Sequence, residues 1–406
     1  MSESVISDMP AALRRRREYA GPVLFSYGFR PFFLGGALWA ALSILLWLPQ
    51  YSGEWSLPTA FALIDWHIHE MLYGYVAAIV TGFLLTAIPN WTGRFPVNGL
   101  PLAGLAALWL AGRIAIAGSA IWGLRLAAVI DIAFLTALAA VAAREIIAGR
   151  NWRNMRVLVI LGILIVGNVA FHIEVIAHGR ADFGIRIGIA AAISLIMLIG
   201  GRIIPSFTHN WLVRKNPGRL PRSFSRFDAL VLSVSALALI LWIGMPQQAV
   251  SGVALMIAGV LQAARLARWA GDRTFGERLV LVLHVGYSFV PIGFVLLAAA
   301  ILWPSQVPAS AGLHAWTAGA IGLMTLAVMT RASLGHTGHE LVASSPTQLM
   351  YLCLLIAACA RILAAFHPSI ILLHIAGVAW VAAFGGFAIV FGPLLMGLTS
   401  SSKKGR

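Results

Sequence analysis

Twelve apolar runs, each about as long as a lipid bilayer is thick, follow one another along the chain. A membrane-spanning helix needs about 20 mostly apolar residues. The predicted spans are 31–49, 64–88, 100–118, 123–143, 155–177, 182–204, 228–246, 248–268, 279–302, 311–330, 348–366 and 369–395. The sequence therefore predicts an all-α polytopic membrane bundle: one twelve-helix domain over 31–397, with tails at 1–30 and 398–406.

Composition excludes the main soluble classes of protein. The hydrophobic fraction is 60% and the charged fraction is 11%, whereas soluble domains have about 45–50% and about 25%. A soluble domain of 406 residues has no way to bury that much apolar surface, so ordinary soluble enzymes, disordered chains and disulfide scaffolds are excluded. Cys353 and Cys359 lie inside one apolar run and imply no disulfide framework.

The net charge of +15 raises the possibility of a nucleic-acid partner, but its distribution indicates a membrane protein instead. Basic residues occupy the short gaps between apolar runs, and Lys and Arg mark cytoplasmic loops. With both tails inside, 24 of the 29 basic residues lie in cytoplasmic segments, and loops 49–63, 245–250 and 302–310 contain none. The other five are Arg113, Arg125, Arg180, Arg186 and Arg361. We therefore predict cytoplasmic termini, the lipid bilayer as partner, and no nucleic-acid binding.

Predicted helices 2, 6 and 10 share one feature. All three run from outside to inside, and each ends in polar residues, at 89–94, 205–210 and 330–333. This likeness suggests three four-helix units within the single domain.

Histidines gather at the outer level of the predicted bundle. Ionisable groups inside a bilayer are costly and usually face a protein interior or a cavity. Imidazole suits copper, zinc and iron, and it is the usual axial ligand of haem. We therefore expect a metal site there, with ligands drawn from His67, His69, His172 and His314. A single membrane histidine can also simply bond to a carbonyl, and for His178 and His374 that alternative stays open.

His67 and His69 are two residues apart, which corresponds to about 200° of rotation on an α-helix. This spacing favours one imidazole on each face, serving two centres or one centre and its support. The alternative is an unwound helix end at which both rings reach one metal. Glu70 follows His67 by three residues and is expected to accept the second N–H of its ring. A proton path through Glu70, Asp131 and Glu174 is possible, in no defined order.

Eight stretches of the chain form recognisable motifs. They are GFRPFF at 28–33, WHIHEM at 66–71, TGFLLTAIPNWTG at 81–93, GGRIIP at 200–205, FT at 207–208, LH at 283–284, LHA at 313–315 and MTRASLGHTG at 329–338. Together they closely resemble the NnrS family of bacterial membrane proteins. The resemblance implies an inner-membrane protein that carries b-type haem and copper and acts in the bacterial response to nitric oxide, often beside denitrification or nitrosative-stress functions.

The resemblance also implies cofactor ligands. The family has histidine at the positions of His67, His69, His284, His314 and His336, with a looser match at His172. At two further motif positions the family usually has arginine, whereas this chain has histidine, so those two are not carried over as ligands. They are His209 and His339.

Three functions fit this reading. The first is a haem and copper enzyme that consumes or reduces nitric oxide. The chain has no Cys-x-x-Cys-His or ferredoxin-type cysteine motif, so quinol or a separate donor would supply electrons. The second is a haem protein that binds or senses nitric oxide and protects metal pools. The third is a copper or haem transporter, disfavoured because the clear prolines fall at helix ends rather than mid-membrane.

Arg202 and Arg331 are expected to be propionate or structural partners.

Overall fold

A computed structural model describes residues 19–215 and 218–398. All regular structure in those two ranges is helical, and twelve helices are long and apolar enough to cross a membrane. They are α1 Phe29–Tyr51, α2 Leu63–Thr92, α3 Gly99–Ala117, α4 Leu124–Ala148, α5 Trp152–His178, α6 Phe183–Arg214, α7 Arg226–Gly244, α8 Ala249–Arg273, α9 Arg278–Leu302, α10 Ala309–Thr337, α11 Ser345–Phe366 and α12 Ile370–Met396. The predicted twelve-helix architecture is confirmed. Residues 1–18 and 399–406 of the predicted tails lie outside the described residues.

Short loops make neighbouring helices antiparallel, so the bundle has two distinct ends. We call the end at which α1 begins and α12 ends the proximal end, and the opposite end the distal end. Arg30 ties the proximal end together, because its Nη1 donates to the carbonyls of Leu394 at 3.0 Å and Leu395 at 2.8 Å. Helix α12 also packs along α1, which brings the first and last helices side by side. That the proximal end is cytoplasmic stays a prediction from the charge distribution.

Three helices, α2, α6 and α10, form the centre of the bundle. In their most apolar windows 78%, 67% and 67% of residues are buried, against at most 56% in the other nine spans described. Helix α6 packs against both other central helices, and Tyr75 of α2 shares a hydrogen bond with Thr325 of α10. The likeness predicted for helices 2, 6 and 10 thus coincides with a shared central position.

Each central helix also changes to π-helical winding for one or two turns. The π segments are Glu70–Val76, Ile196–Gly200 and Ala315–Ile321. A π turn closes its hydrogen bonds at i→i+5, which widens the helix and makes carbonyls available to other donors. In α6 the Met197 carbonyl accepts a hydrogen bond from Arg265 Nη1 at 3.1 Å. In α2 the Gly74 carbonyl accepts one from Trp109 Nε1 at 3.0 Å.

A polar network lies buried between α7, α8 and α9. Arg265 donates to Asp228 Oδ1 at 3.1 Å and to the Tyr287 hydroxyl at 3.0 Å, and Tyr287 donates to Gln262 Oε1 at 2.8 Å. The guanidinium is therefore paired and hydrogen-bonded, as a buried charge must be. We assign this network to the packing of the bundle.

Candidate functional site

A mostly apolar cavity of about 600 Å³ opens near the distal end of the bundle. Helices α1, α2, α6, α10, α11 and α12 supply its walls. The volume lies within the range of roughly 300–1,000 Å³ that is usual for small-molecule and cofactor sites. Its polar lining is sparse and comes mainly from His67, His314, Arg361, Tyr51, Tyr75 and Thr317. A few polar groups in an apolar cavity give a bound molecule its orientation.

His67 enters this cavity from α2. Its ring stacks on Trp47 of α1, with ring centroids 4.4 Å apart, so packing restricts its orientation. Its Nδ1 atom is buried and has no hydrogen-bond partner within the described part of the chain. Buried polar atoms are nearly always paired in folded proteins, so the unpaired nitrogen makes His67 a candidate for binding a group from outside the chain.

His314 enters the same cavity from α10. Its Nδ1–H donates to the Ser310 carbonyl at 2.7 Å, which leaves Nε2 as the nitrogen with the free lone pair. Metal-binding histidines are commonly oriented by such a bond from the second ring nitrogen. The exposed His374 makes the same bond to the Ile370 carbonyl at 2.8 Å. The bond alone therefore does not mark a ligand, and it is the cavity position that distinguishes His314.

The two cavity histidines occupy matching places in their helices. His67 lies three residues before the π segment of α2, and His314 immediately precedes the π segment of α10. The widened turns then contribute wall residues, including Tyr75 from α2 and Ile321 from α10. Two of the three π segments thus shape this one cavity, which agrees with the tendency of π turns to occur at functional sites.

On the other side of α2 lies a buried polar cluster, separate from the cavity lining. His69 places Nδ1 3.1 Å from Glu70 Oε1 and Nε2 3.2 Å from Asp131 Oδ2. His172 of α5 donates from Nε2 to the same Asp131 oxygen at 3.0 Å. None of these four side chains is more than 2% exposed. As the two-residue spacing predicted, His67 and His69 project into different surroundings.

Arg113 of α3 neutralises part of this cluster. Its Nη1 lies 2.8 Å from both Glu70 oxygens, and its Nη2 donates to Asp131 Oδ1. Trp39 of α1 adds a hydrogen bond to Glu70 Oε2 at 2.7 Å. The expectation that Glu70 orients His67 is therefore wrong, because donors from α1 and α3 and the ring of His69 hold its carboxylate on the opposite side.

The cluster contains a group of atoms suited to a metal ion. One nitrogen from each of His69 and His172 and one oxygen from Asp131 lie within 4.8 Å of one another. Metal bonds of about 2.0–2.2 Å to these atoms would need them roughly 3.3 Å apart, so small side-chain movements suffice. Two imidazoles and a carboxylate suit zinc, iron or copper. Glu70 then accepts a hydrogen bond from the other ring nitrogen of His69, as carboxylates commonly do for metal-bound histidines.

The remaining predicted ligands lie at the proximal end. His284 donates from Nε2 to Thr208 Oγ1 at 2.9 Å, and its Nδ1 is buried without a partner. His336 packs beside the rings of Tyr27 and Phe29, with centroids 5.5 Å away in each case. At 1.5 Å per residue, the 22 residues from His314 to His336 span roughly 30 Å. Neither His284 nor His336 lines the cavity.

Three other charged residues have structural contacts away from the cavity. Arg202 donates to Asn154 Oδ1 at 3.3 Å, and Arg331 lies 4.1 Å from the centre of the Phe207 ring. Glu174 accepts from the first backbone N–H groups of α6 at 2.9–3.1 Å and so serves as a helix cap. For the two arginines, the choice between a propionate partner and a structural partner stays a prediction, and Glu174 stands apart from Glu70 and Asp131.

Sequence reasoning missed Arg113 and Arg361 as site residues, together with Trp39 and Asn168. A signal for the arginines was present, because both are among the five basic residues that depart from the cytoplasmic pattern. A charge inside a membrane span is itself a mark of function or pairing. Asn168 of α5 donates from Nδ2 to Asp131 Oδ2 at 2.9 Å. Trp39 and Asn168 carried no such signal, since their contacts depend on which helices pack together.

The comparison with protein families agrees with the motifs. The family model described as NnrS protein matches residues 23–398, which is nearly the whole chain. No curated protein matches the chain.

Proposed function

Because the chain belongs to the NnrS family, and so to membrane proteins related to nitric oxide, we propose that it binds haem in the distal cavity and consumes nitric oxide there. The observation that carries the proposal is that two imidazoles from different central helices line one apolar cavity. The Nδ1 atom of His67 has no partner among the described residues. The hydrogen bond that His314 donates from Nδ1 leaves its Nε2 with a free lone pair. We further propose that the membrane is the bacterial inner membrane.

The cavity fits a b-type haem in chemistry. A porphyrin is flat and largely apolar, as is most of the lining, and histidine is a common axial ligand of its iron. His67 and His314 are the residues that would hold the haem, and with one of the two imidazoles as its iron ligand the bound haem would supply a metal able to bind nitric oxide. Among the described residues of the lining, Arg361 is the one charged side chain that a bound haem would cover.

The chain's own residues position the ligands and control access. The Trp47 ring restricts the orientation of His67, and the Ser310 carbonyl fixes the protonated nitrogen of His314. Ile64 and Ile370 line the cavity and are 59% and 53% exposed. Nitric oxide is small and apolar, so it can reach the cavity from the lipid between these residues.

The polar cluster is the proposed second centre. His69, His172 and Asp131 supply two nitrogens and one oxygen, and neither methionine nor cysteine is among the three. This ligand set suits copper as the divalent ion better than the monovalent ion, which prefers sulfur. Copper here and haem in the cavity would give the chain two redox centres on opposite sides of α2. Electrons from quinol or another donor would complete a reduction.

The decisive experiment uses purified, anaerobically reduced protein and a nitric oxide electrode together with absorption spectroscopy. Sustained consumption in the presence of an electron donor supports the enzyme. A spectral change that stops at one equivalent supports the alternative of a non-catalytic haem protein that binds or senses nitric oxide. Absence of haem from protein made in haem-replete cells would refute both and leave the transporter hypothesis.

Alanine variants locate the haem. His67→Ala and His314→Ala should each lower haem content, because each removes an imidazole from the cavity. His367→Ala is the matched control, since His367 is exposed in the turn after α11 and is not part of the lining. Full haem content in both cavity variants would refute the assignment.

A further inference from the structure

Among the described residues that line the distal cavity, Arg361 is the one permanently charged side chain. It lies near the distal end of α11, within the membrane-spanning length of that helix. It is close enough to His67 and His314 to act electrostatically on both imidazoles. An arginine keeps its charge in any protein environment, so the cavity holds a fixed positive charge beside the two imidazoles.

No carboxylate among residues 19–215 and 218–398 forms an ion pair with Arg361, and no described residue accepts a hydrogen bond from its guanidinium. A guanidinium carries five N–H donors. Leaving such a charge unpaired inside a membrane protein is costly, and arginines there normally pair with acids or backbone carbonyls. A partner for this charge within the cavity would therefore come from outside these residues.

Arg113 shows how this chain treats an arginine that serves the fold. Arg113 lies near the distal end of α3, which follows the central helix α2, and Arg361 lies near the distal end of α11, which follows the central helix α10. Arg113 is fully enclosed and contacts two carboxylates, from Glu70 and Asp131. Arg361 has the corresponding place but faces a cavity in which the neighbouring helices supply no acid.

We propose that Arg361 pairs with a carboxylate of the molecule that fills the cavity; resting on the proposed function, this is a propionate of the haem. The planar guanidinium matches a carboxylate with two parallel hydrogen bonds. Because the rest of the lining offers no second fixed cation, this contact selects which edge of the macrocycle faces α11. Arg361 is thus a positioning residue, acting on the haem periphery and not on the iron.

The test is a binding cycle that varies the protein and the ligand together. Full-length protein from haem-limited cells, purified in detergent, is titrated with iron protoporphyrin and with its dimethyl ester, and the Kd of each is read from absorption spectra. Wild type should prefer the free acid by roughly 10- to 100-fold, the range expected for a charge-assisted hydrogen-bond pair. Arg361→Gln should lose that preference while binding the ester as wild type does, and Arg361→Lys should keep part of it.

Arg125→Gln is the matched control, because Arg125 lies at the distal end of α4, is exposed, and is not part of the cavity lining. It should keep the full preference. An unchanged preference in Arg361→Gln would overturn the assignment of Arg361 and leave the proposed haem site standing. Equal loss of acid and ester binding would also overturn it, since it would indicate a structural role. If wild type binds neither ligand, the proposed function fails, and this inference with it.

Discussion

Removing the Arg113 guanidinium should destabilise the bundle strongly. In Arg113→Met the apolar length of the side chain is kept, but Glu70 and Asp131 lose their common cation. Arg113 contacts both Glu70 oxygens at 2.8 Å and also donates to Asp131, and all three side chains are at most 1% exposed. Removing one partner of a buried ion pair costs about 3–5 kcal/mol. We expect the free energy of unfolding to fall by about that amount.

The double variant with Glu70→Gln tests the reason for this loss. With Glu70 neutralised, the loss of Arg113 leaves less uncompensated charge. The double variant should therefore lose less free energy of unfolding than the sum of the two single variants, by about 0.5–3 kcal/mol, the usual range for coupled neighbours. The assay is reversible unfolding in mixed micelles with a chelator present, so that a stray cation cannot replace the arginine. Arg125→Met, at an exposed arginine, should stay within about 0.5 kcal/mol of wild type.

Two results would refute this reasoning. A cost below about 1 kcal/mol for Arg113→Met would show that water or a neutralised carboxyl group compensates for the lost cation. Strict additivity with Glu70→Gln would show that the two side chains do not depend on each other, contrary to their hydrogen bonds.

Three further outcomes are expected. His69→Ala should retain haem but lose non-haem metal, measured by metal analysis beside the haem spectrum, and loss of haem instead would contradict the two separate sites. Gly74→Ala should lower the free energy of unfolding by about 1–3 kcal/mol, because its Cβ would lie 2.7 Å from Arg113 Nη1. Gly104→Ala is the control and should be tolerated, because no described atom lies within 4 Å of the added Cβ. Equal effects of the two substitutions would refute this. A reporter inserted in loop 302–310 should report the side opposite the cytoplasm, and a cytoplasmic signal would invert the predicted topology.

The helices were predictable because the bilayer sets their length. Twelve apolar runs became twelve spans, and the chief differences are at proximal ends. There α6 continues to Arg214 and α10 to Thr337, well past the predicted ends at 204 and 330, since polar residues can extend a helix into water once it has left the apolar layer. Hydrophobicity marks where a helix must be, not where it must stop.

The candidate site was predictable only in part. The angular separation of His67 and His69 follows from helical winding, and it was correctly anticipated. The role of Glu70 was not, because the helix leaves α geometry at that residue and because its partners Arg113 and Trp39 come from other helices. The gathering of His67 and His314 around one cavity, with His284 and His336 elsewhere, required the packing of six helices to be known.

The π segments make the geometry of the cavity depend on the number of residues in the chain as well as on their identity. A π turn takes up more residues than an α turn, so deleting a single residue within 70–76 would let regular α winding resume. Everything beyond the deletion would keep nearly its present direction relative to His67, because six α residues turn the chain through about the same angle as seven π residues. A deletion in the regular α-helix beyond residue 76 would instead rotate everything that follows by about 100°. The same holds for 315–321 and His314. Substitution scans leave this dependence hidden, whereas single-residue deletions placed within these two segments, compared with deletions placed just beyond them, would expose it.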